Sequence, residues 1–140
     1  MTEFDDIEIL FIVGFGPIVR DAAASRKLYS DILHIPFKEE QDGYLHTEAL
    51  PGAKTFALWP LPLAAESCFG KNTWPGDVPV PQAWLEFDVA NLEKASETLQ
   101  AKGYHLLVAA KKESWGQIVS RFLSPEGLLV GLTFTPSMRK

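Results

Sequence analysis

An internal repeat constrains the fold of this chain more than any other feature of its sequence. Two segments with helical spacing begin after the capping residues Asp21 and Asn91, which lie 70 residues apart in a chain of 140. Each capping residue follows a valine by two positions, Val19 in the first half and Val89 in the second. The repeat therefore predicts that the chain is built from two copies of one unit.

The second half shows the pattern of that unit most clearly. Residues 83–89 alternate between apolar and polar side chains, as a strand does, and Gly103 stands where the helix after Asn91 is expected to end. The stretch from Ser114 to Leu132 then predicts a strand, a tight turn on residues 124–127 and a second strand. With one more strand directly after the helix, each half is expected to be a β-α-β-β-β unit.

The first half repeats this pattern more weakly. Residues 7–15 are dense in strand-forming side chains and predict a buried strand. A helix is expected over about residues 22–33, with Leu28 and Ile32 on its apolar face. The Asp-Gly pair at positions 42–43 is favoured in two-residue hairpin loops and separates the next two strands.

These elements predict an α+β fold in which two modules form curved mixed sheets around a cleft, with a helix on the outer face of each module. The length suits one domain, with module one at about residues 5–60 and module two at about residues 83–136. The connection, residues 61–82, is rich in proline and glycine but also contains Phe69 and Trp74. A functional loop is therefore expected there in preference to a solvated spacer.

Composition argues against several classes of function. The formal net charge is −5 and no run of Lys or Arg stands out, so nucleic-acid binding is not expected. Cys68 is the only cysteine, which excludes an internal disulfide and favours a reducing, cytoplasmic setting. The apolar run at residues 7–15 is too short to span a bilayer and lacks the basic start of a signal peptide, so no membrane partner is expected.

Four segments of the sequence resemble the vicinal oxygen chelate superfamily, which includes glyoxalase I, bleomycin-resistance proteins and extradiol dioxygenases. Their order and spacing carry the resemblance over nearly the whole chain. The resemblance implies the fold predicted above and a homodimer, with Trp59 or the connection near the second subunit. The four segments are IVRDAAASRKLYSDIL (18–33), DGY (42–44), FDVANLEKASETLQAKG (87–103) and WGQIVSRFLSPEGLLVGL (115–132).

The resemblance also implies where metal-using members place their ligands. Such members often carry a His seven residues before the helix cap and a Glu four residues after the glycine of the final turn. The corresponding residues here are Gly14, Ala57, Trp84 and Gly131. None of them has a side chain that binds zinc, iron, nickel or manganese. We therefore expect no metal at the usual place, no other cofactor, and a member similar to the bleomycin-resistance proteins.

Strand alternation directs charged residues into the predicted cleft. On residues 83–89 it places Trp84 and Glu86 on the cleft side. On residues 117–123 it places Arg121 on the same side. Glu86 is then available for a cationic group, and Arg121 for a carboxylate or phosphate held by two hydrogen bonds. The alternative is a structural ion pair in which the two side chains satisfy only each other.

The tryptophans are the stronger sign of a ligand pocket. They fall at strand ends or loops that should border the cleft, and aromatic walls suit planar or cationic ligands. Small residues at the usual metal-ligand positions would leave room for a ligand, although close strand packing is the alternative. No catalytic residue and no metal ligand is assigned. The predicted ligand-binding residues are Trp59, Trp84, Glu86, Trp115 and Arg121.

Two further groups have a candidate chemistry. His46 and Glu48 are two residues apart on one predicted strand and so share a face, but two ligands are too few for a metal site away from the usual place. Cys68 lies in the connection without a base near it in sequence, so an incidental thiol is expected.

Three functions remain open, and the sequence leaves undecided whether the protein is an enzyme. The first is metal-independent binding or sequestration of a small aromatic or cationic molecule, as in antibiotic-resistance members of the superfamily. The second is a metal-dependent lyase, isomerase or dioxygenase of the glyoxalase type with a relocated metal site. The third is an interaction module whose cleft is filled by its own side chains. The expected partners are a small-molecule ligand and a second copy of the chain.

Overall fold

The structure, a computed structural model, describes residues 7–139 and contains both predicted units. The first half comprises β1 (Ile9–Val19), α1 (Ala22–Arg26) continued by a π-helical segment (Lys27–Ile32), β2 (Lys38–Glu39), a 3₁₀ turn (Gln41–Gly43), β3 (Leu45–Thr47) and β4 (Thr55–Pro60). The connection contains α2 (Leu61–Phe69). The second half comprises β5 (Ala83–Val89), α3 (Leu92–Ala101), β6 (Val108–Lys112), β7 (Ile118–Leu123), β8 (Leu129–Phe134) and a 3₁₀ turn (Pro136–Met138).

Both halves are β-α-β-β-β modules, and they join edge to edge in one mixed sheet. The strand order is β2-β3-β4-β1-β5-β8-β7-β6. In each module the first and last strands are parallel neighbours, β1 with β4 and β5 with β8. The other pairs within each module are antiparallel. The predicted α+β fold is confirmed, and both modules of the pair belong to one chain.

The joint between the modules has the symmetry that the sequence repeat predicts. β1 and β5 run antiparallel, and Phe15 pairs with Leu85, its equivalent 70 residues later. Gly14 and Gly16 are equivalent to Trp84 and Glu86, 70 residues later, so the repeat converts the residue pair on one side of Phe15 into the pair on its other side. An approximate two-fold axis therefore passes between Phe15 and Leu85. The flanking pairs are Gly14 with Glu86 and Gly16 with Trp84.

The outer face of module two is packed as strand alternation predicts. α3 begins after Asn91, whose side chain accepts a hydrogen bond from the amide of Lys94. Buried residues of this helix pack against Phe87, Val89 and Leu132 on the strands beneath. Because successive side chains of a strand point to opposite faces, the alternate residues of the same strands face the concave side.

The first helix departs from its expected packing. Asp21 caps α1 as predicted, but the helix changes to π geometry over Lys27–Ile32. Tyr29 packs towards the sheet, whereas Leu28 and Ile32 are 45% and 57% exposed. The apolar face that the sequence pattern predicts for these two residues is therefore exposed where the helix has π geometry.

The connection contains a helix that was predicted as part of a loop. Pro62 stands in the first turn of α2, where a missing N–H leaves no hydrogen bond unmade, and Gly70 ends the helix with φ of 75°. Farther along, the indole of Trp74 donates to the carbonyls of Val78 and Pro79. α2 lies on the concave face, where it packs against apolar residues of both modules. Its buried residues are Ala64, Ala65, Ser67 and Cys68.

Within residues 7–139, no helix is long and apolar enough to cross a membrane.

Candidate ligand-binding site

A buried ion pair lies at the centre of the concave face. Glu86 on β5 and Arg121 on β7 are 6% and 1% exposed. Arg121 Nη1 donates to Glu86 Oε2 at 2.7 Å. Gly131 on β8 pairs with both residues, and a Cβ atom there would lie 2.9 Å from Glu86 Cγ and 3.3 Å from Arg121 Nη1. The structure thus brings Glu86 and Arg121 together as expected, and the glycine between them leaves room for the contact.

A second carboxylate extends this pair to an ion cluster. Glu113, in the turn after β6, is buried, and its Oε2 lies 3.8 Å from Arg121 Nη2. Lys111 stands at the rim, partly exposed, with its ammonium 3.7 Å from Glu113 Oε1. Two carboxylates therefore flank one guanidinium in the interior. The ammonium at the rim offsets the excess negative charge. We refer to Glu86, Arg121, Glu113 and Lys111 as the ion cluster.

Helix α2 contacts the ion cluster through Ser67. The Ser67 hydroxyl donates to Glu113 Oε2 at 2.5 Å and accepts from Arg121 Nε at 3.2 Å. Its carbonyl accepts from Lys111 Nζ at 2.9 Å. In the part of the chain that the structure describes, no buried side-chain nitrogen or oxygen lacks a hydrogen-bond partner. One residue of α2 therefore completes the hydrogen bonding of three charged groups.

Gln117 connects the ion cluster to the protein surface. Its amide nitrogen donates to Glu86 Oε1 at 3.1 Å and to the Thr135 hydroxyl at 3.0 Å. Its amide oxygen accepts from the Trp115 indole at 2.9 Å. Trp115 was predicted to line the pocket, but it lies on the turn between β6 and β7 and is 63% exposed. It reaches the ion cluster through Gln117.

The other two predicted tryptophans are buried beside the ion cluster. The Trp59 ring centre lies 4.7 Å from the guanidinium carbon of Arg121, which is a cation–π contact. Trp84 donates its indole N–H to the Ala57 carbonyl at 3.1 Å. The two rings meet edge to face at 6.1 Å. Both belong to the apolar cluster against which α2 packs, so the aromatic wall of the cleft faces this helix.

The usual metal-ligand positions of metal-using relatives do not fit a cation in this chain. A Cβ atom on Gly14 would lie 2.9 Å from the Trp84 ring, and Gly131 is enclosed by Glu86 and Arg121. A guanidinium beside the place of a ligand repels a divalent cation. Among residues 7–139, no group of three or more His, Cys, Asp and Glu side chains is placed to hold a metal ion.

His46 lies on β3 between two carboxylates. Its Nδ1 is 2.8 Å from Glu48 Oε2 and its Nε2 is 3.0 Å from Glu40 Oε2. Partial burial lowers the pKa of His46, but the hydrogen bonds to Glu40 and Glu48 raise it more, so its pKa lies above the ordinary value of 6.5. Because a carboxylate holds each ring nitrogen, His46 and Glu48 form part of an ion-pair triad instead of an open metal-binding pair.

Cys68 is a poor nucleophile in this structure. It lies on the buried side of α2. Burial raises the pKa of its thiol to about 11. The thiolate is the reactive form, so a thiol that stays protonated at neutral pH agrees with the expected incidental role.

Ser67 and Glu113 were not predicted as site residues. Ser67 lies in the connection, where no periodic pattern assigns a face. The place of Glu113 could have been predicted from its position opposite Gln117 in the hairpin. In the structure its amide donates to the Gln117 carbonyl across the turn at 2.7 Å. Residues that pair across a hairpin share a face, and strand alternation puts Gln117 on the same face as Arg121.

The chain belongs to the superfamily that its sequence resembles. The family model described as the Glyoxalase/Bleomycin resistance protein/Dioxygenase superfamily matches residues 12–132. No curated protein matches the chain by sequence.

Solved structures of this fold extend over nearly the whole chain. A superfamily member from Vibrio splendidus 12B01 has a TM-score of 0.59 at 15% identity, covering 92% of this chain and 99% of its own. Methylmalonyl-CoA epimerase from Mycobacterium tuberculosis has a TM-score of 0.55 at 17% identity, covering 93% and 91%. The Mn(II)-bound glyoxalase from Novosphingobium aromaticivorans has a TM-score of 0.59 at 12% identity, covering 96% and 40%. At these identities the likeness shows the fold alone.

We predict that Glu86 and Arg121 are energetically coupled. Arg121→Met leaves two buried carboxylates without their guanidinium, and loss of one partner of a buried pair costs about 3–5 kcal/mol. Adding Glu86→Gln removes one of the stranded charges, so the double variant should lose about 1–3 kcal/mol less than the sum of the single losses. Urea unfolding of the four proteins measures the coupling. Strictly additive losses would contradict it.

We also predict that the stability contributed by His46 depends on pH. The folded-state pKa is raised, so this contribution is fully present below about pH 6.5 and is lost as the pH rises through the folded-state value. Between about pH 6 and about pH 9, wild type should lose more unfolding free energy than His46→Gln. Urea unfolding across this range checks the sign, and parallel curves for the two proteins would rule out the effect.

Proposed function

We propose that the protein binds a small planar aromatic cation in the cleft between its modules, without the aid of a metal ion. The observation that carries the proposal is the buried ion cluster, in which Glu86 and Glu113 flank a single guanidinium beside Trp59. Membership of the superfamily establishes the fold, and the function is inferred from the ion cluster because one fold carries many chemistries.

The charge of the cluster favours a cationic over an anionic ligand. Arg121 already donates to Glu86 at 2.7 Å and lies within 3.8 Å of Glu113. An entering carboxylate or phosphate would compete with both for one guanidinium. An entering cation instead meets two carboxylates. Arg121 offsets one of these carboxylates, and the charge that offsets the other, on Lys111, lies partly exposed at the rim, where it also donates to the Ser67 carbonyl.

The aromatic residues favour a planar ligand. The Trp59 ring already makes a cation–π contact with the guanidinium of Arg121, so this aromatic wall of the cleft is suited to binding a cation. Trp84 meets it edge to face, and its indole N–H is satisfied by a backbone carbonyl. A flat cation that stacks on Trp59 would extend this arrangement without leaving a buried donor unpaired.

A metal-dependent lyase, isomerase or dioxygenase would need ligands away from the usual positions. The donor set described above gives no support to such a site, so binding without a metal is the better-supported function. The homodimer and the cytoplasmic location stay predictions from the resemblance and the composition.

We predict that berberine, a permanently cationic planar aromatic, binds to the wild-type protein saturably and equally well after treatment with a metal chelator. Glu86→Gln should weaken binding about tenfold or more, because one of the two carboxylates that attract the cation is lost. Glu97→Gln is the matched control, since Glu97 is exposed on α3. Berberine fluorescence measures binding, and circular dichroism verifies that each variant is folded.

Two results would contradict the proposed function. One is the absence of saturable binding for berberine, proflavine and ethidium. The other is binding that the chelator abolishes. Competition by the anionic dye anilinonaphthalene sulfonate at equal affinity would contradict the preference for cations.

A further inference from the structure

We propose that the outer face of module one binds a second copy of the chain across a two-fold axis, with the first helices of the two copies packed antiparallel. This inference does not depend on the proposed function, because the outer face lies opposite to the cleft. The resemblance implies a second copy near Trp59 or the connection. Trp59 is buried in the apolar cluster of the concave face, so it offers little surface for such a contact.

Exposed apolar residues are concentrated in module one. Of the ten large apolar residues that are exposed within residues 7–139, seven lie between Ile9 and Leu33. Single exposed apolar residues are normal on a protein surface, whereas a concentration of them marks a contact surface. Six of the seven form what we call the outer patch, and each is between 43% and 57% exposed. They are Ile9, Ile12, Phe15, Leu28, Ile32 and Leu33.

The two parts of the outer patch, on β1 and on the first helix, lie on one face of the sheet and next to each other. Ile12 pairs with Phe87, which packs beneath α3, so Ile12 is on the outer face. The Phe15 ring meets the Phe56 ring at 5.6 Å. Tyr29, in the π-helical segment, meets the same Phe56 ring at 6.1 Å. Phe56 therefore joins the strip along β1 to the first helix.

The first helix buries less of itself than its counterpart in module two. α3 has three buried residues, whereas α1 and its π-helical continuation have none. The free side of a surface helix normally carries polar side chains, but here Leu28 and Ile32 are exposed. Because the two helices are equivalent in the repeat, the fold itself does not require this exposure. A partner that covered the first helix would remove its apolar side chains from water.

The outer patch is large enough for a stable contact. A fully exposed Ile, Leu or Phe residue presents about 200 Å², so six residues that are half exposed present on the order of 600 Å². The largest apolar patch of a typical monomer is about 300–600 Å². Each partner of a stable complex buries about 800 Å², polar rim included. The apolar patch with its polar neighbours therefore reaches the size of a dimer interface.

The charges beside the outer patch are complementary to themselves. Lys27 and Asp31 are exposed and directly precede Leu28 and Ile32 in the first helix. A two-fold interface brings the same surface together from both copies, so it must match itself. When this helix lies antiparallel to its copy, Leu28 meets Ile32 and Lys27 meets Asp31, each contact occurring twice. This match favours a second copy of the chain as the occupant, since an unrelated partner would not require it.

A charge placed in the outer patch tests the interface. Wild type should form dimers at concentrations of about 100 µM, and Ile32→Glu should weaken self-association about a hundredfold or more, because a buried charge would have no partner there. Tyr104→Glu is the matched control, since Tyr104 is also an exposed aromatic or aliphatic residue, at 46%, but lies in module two. Sedimentation velocity measures the dimer fraction, and circular dichroism verifies that each variant is folded.

Exchanging the two charges tests whether the partner is a second copy in the antiparallel arrangement. Lys27→Glu and Asp31→Lys should each weaken the dimer, because like charges then meet across the axis. An equal mixture of these two variants should restore it, since each substituted residue then faces an opposite charge. Native mass spectrometry distinguishes this heterodimer from the parent homodimers. Both positions are exposed, so neither change removes a buried contact.

Three results would overturn the inference. The first is a wild-type protein that stays monomeric at about 100 µM, which would leave the outer patch to a different occupant. The second is an equal loss of dimer in Ile32→Glu and Tyr104→Glu. The third is a mixture of Lys27→Glu and Asp31→Lys that associates no better than either variant alone. Berberine binding to Ile32→Glu reports on the proposed function separately, because the cleft is on the other face.

Discussion

The burial of Arg121 sets the condition that the rest of the concave face must meet. A charge moved from water into a protein interior costs several kcal/mol unless protein groups replace the lost water contacts. Here the replacements come from three parts of the chain: Glu86 on β5, Glu113 after β6 and Ser67 on α2. Gly131 leaves the space in which they meet. Sheet, hairpin and connection are therefore tied together by one guanidinium, and none of them can change without exposing a charge.

The same cluster explains how this chain differs from metal-using relatives on a shared fold. At two positions where metal-using relatives would direct ligands into the cleft, this chain has Gly14 and Gly131. The space beside these glycines is filled by the side chains of Trp84, Glu86 and Arg121. A cation of the protein itself stands close to where a metal would be. The proposed recognition of a cation in this cleft would depend on charge pairing and aromatic stacking, which need no cofactor.

Much of the fold could be predicted because repeat spacing, helix caps and strand alternation are local signals. Strand alternation alone predicts that Glu86 and Arg121 share one face of the sheet. α2 escaped prediction because Pro60 and Pro62 read as helix breakers, although proline is tolerated in the first helical turn. Ser67 lies on that helix and so was missed with it. Trp115 lies in a turn next to a strand, as expected, and its side chain is exposed.

The ion cluster is the proposed binding site of a small planar cation. Hydrogen exchange of backbone amides, with and without berberine, tests it most directly because it reports on every segment at once. We predict slower exchange in β5 and β7, which carry Glu86 and Arg121, when berberine saturates the protein. Unchanged exchange in β5 and β7 at saturating berberine would contradict the proposed site.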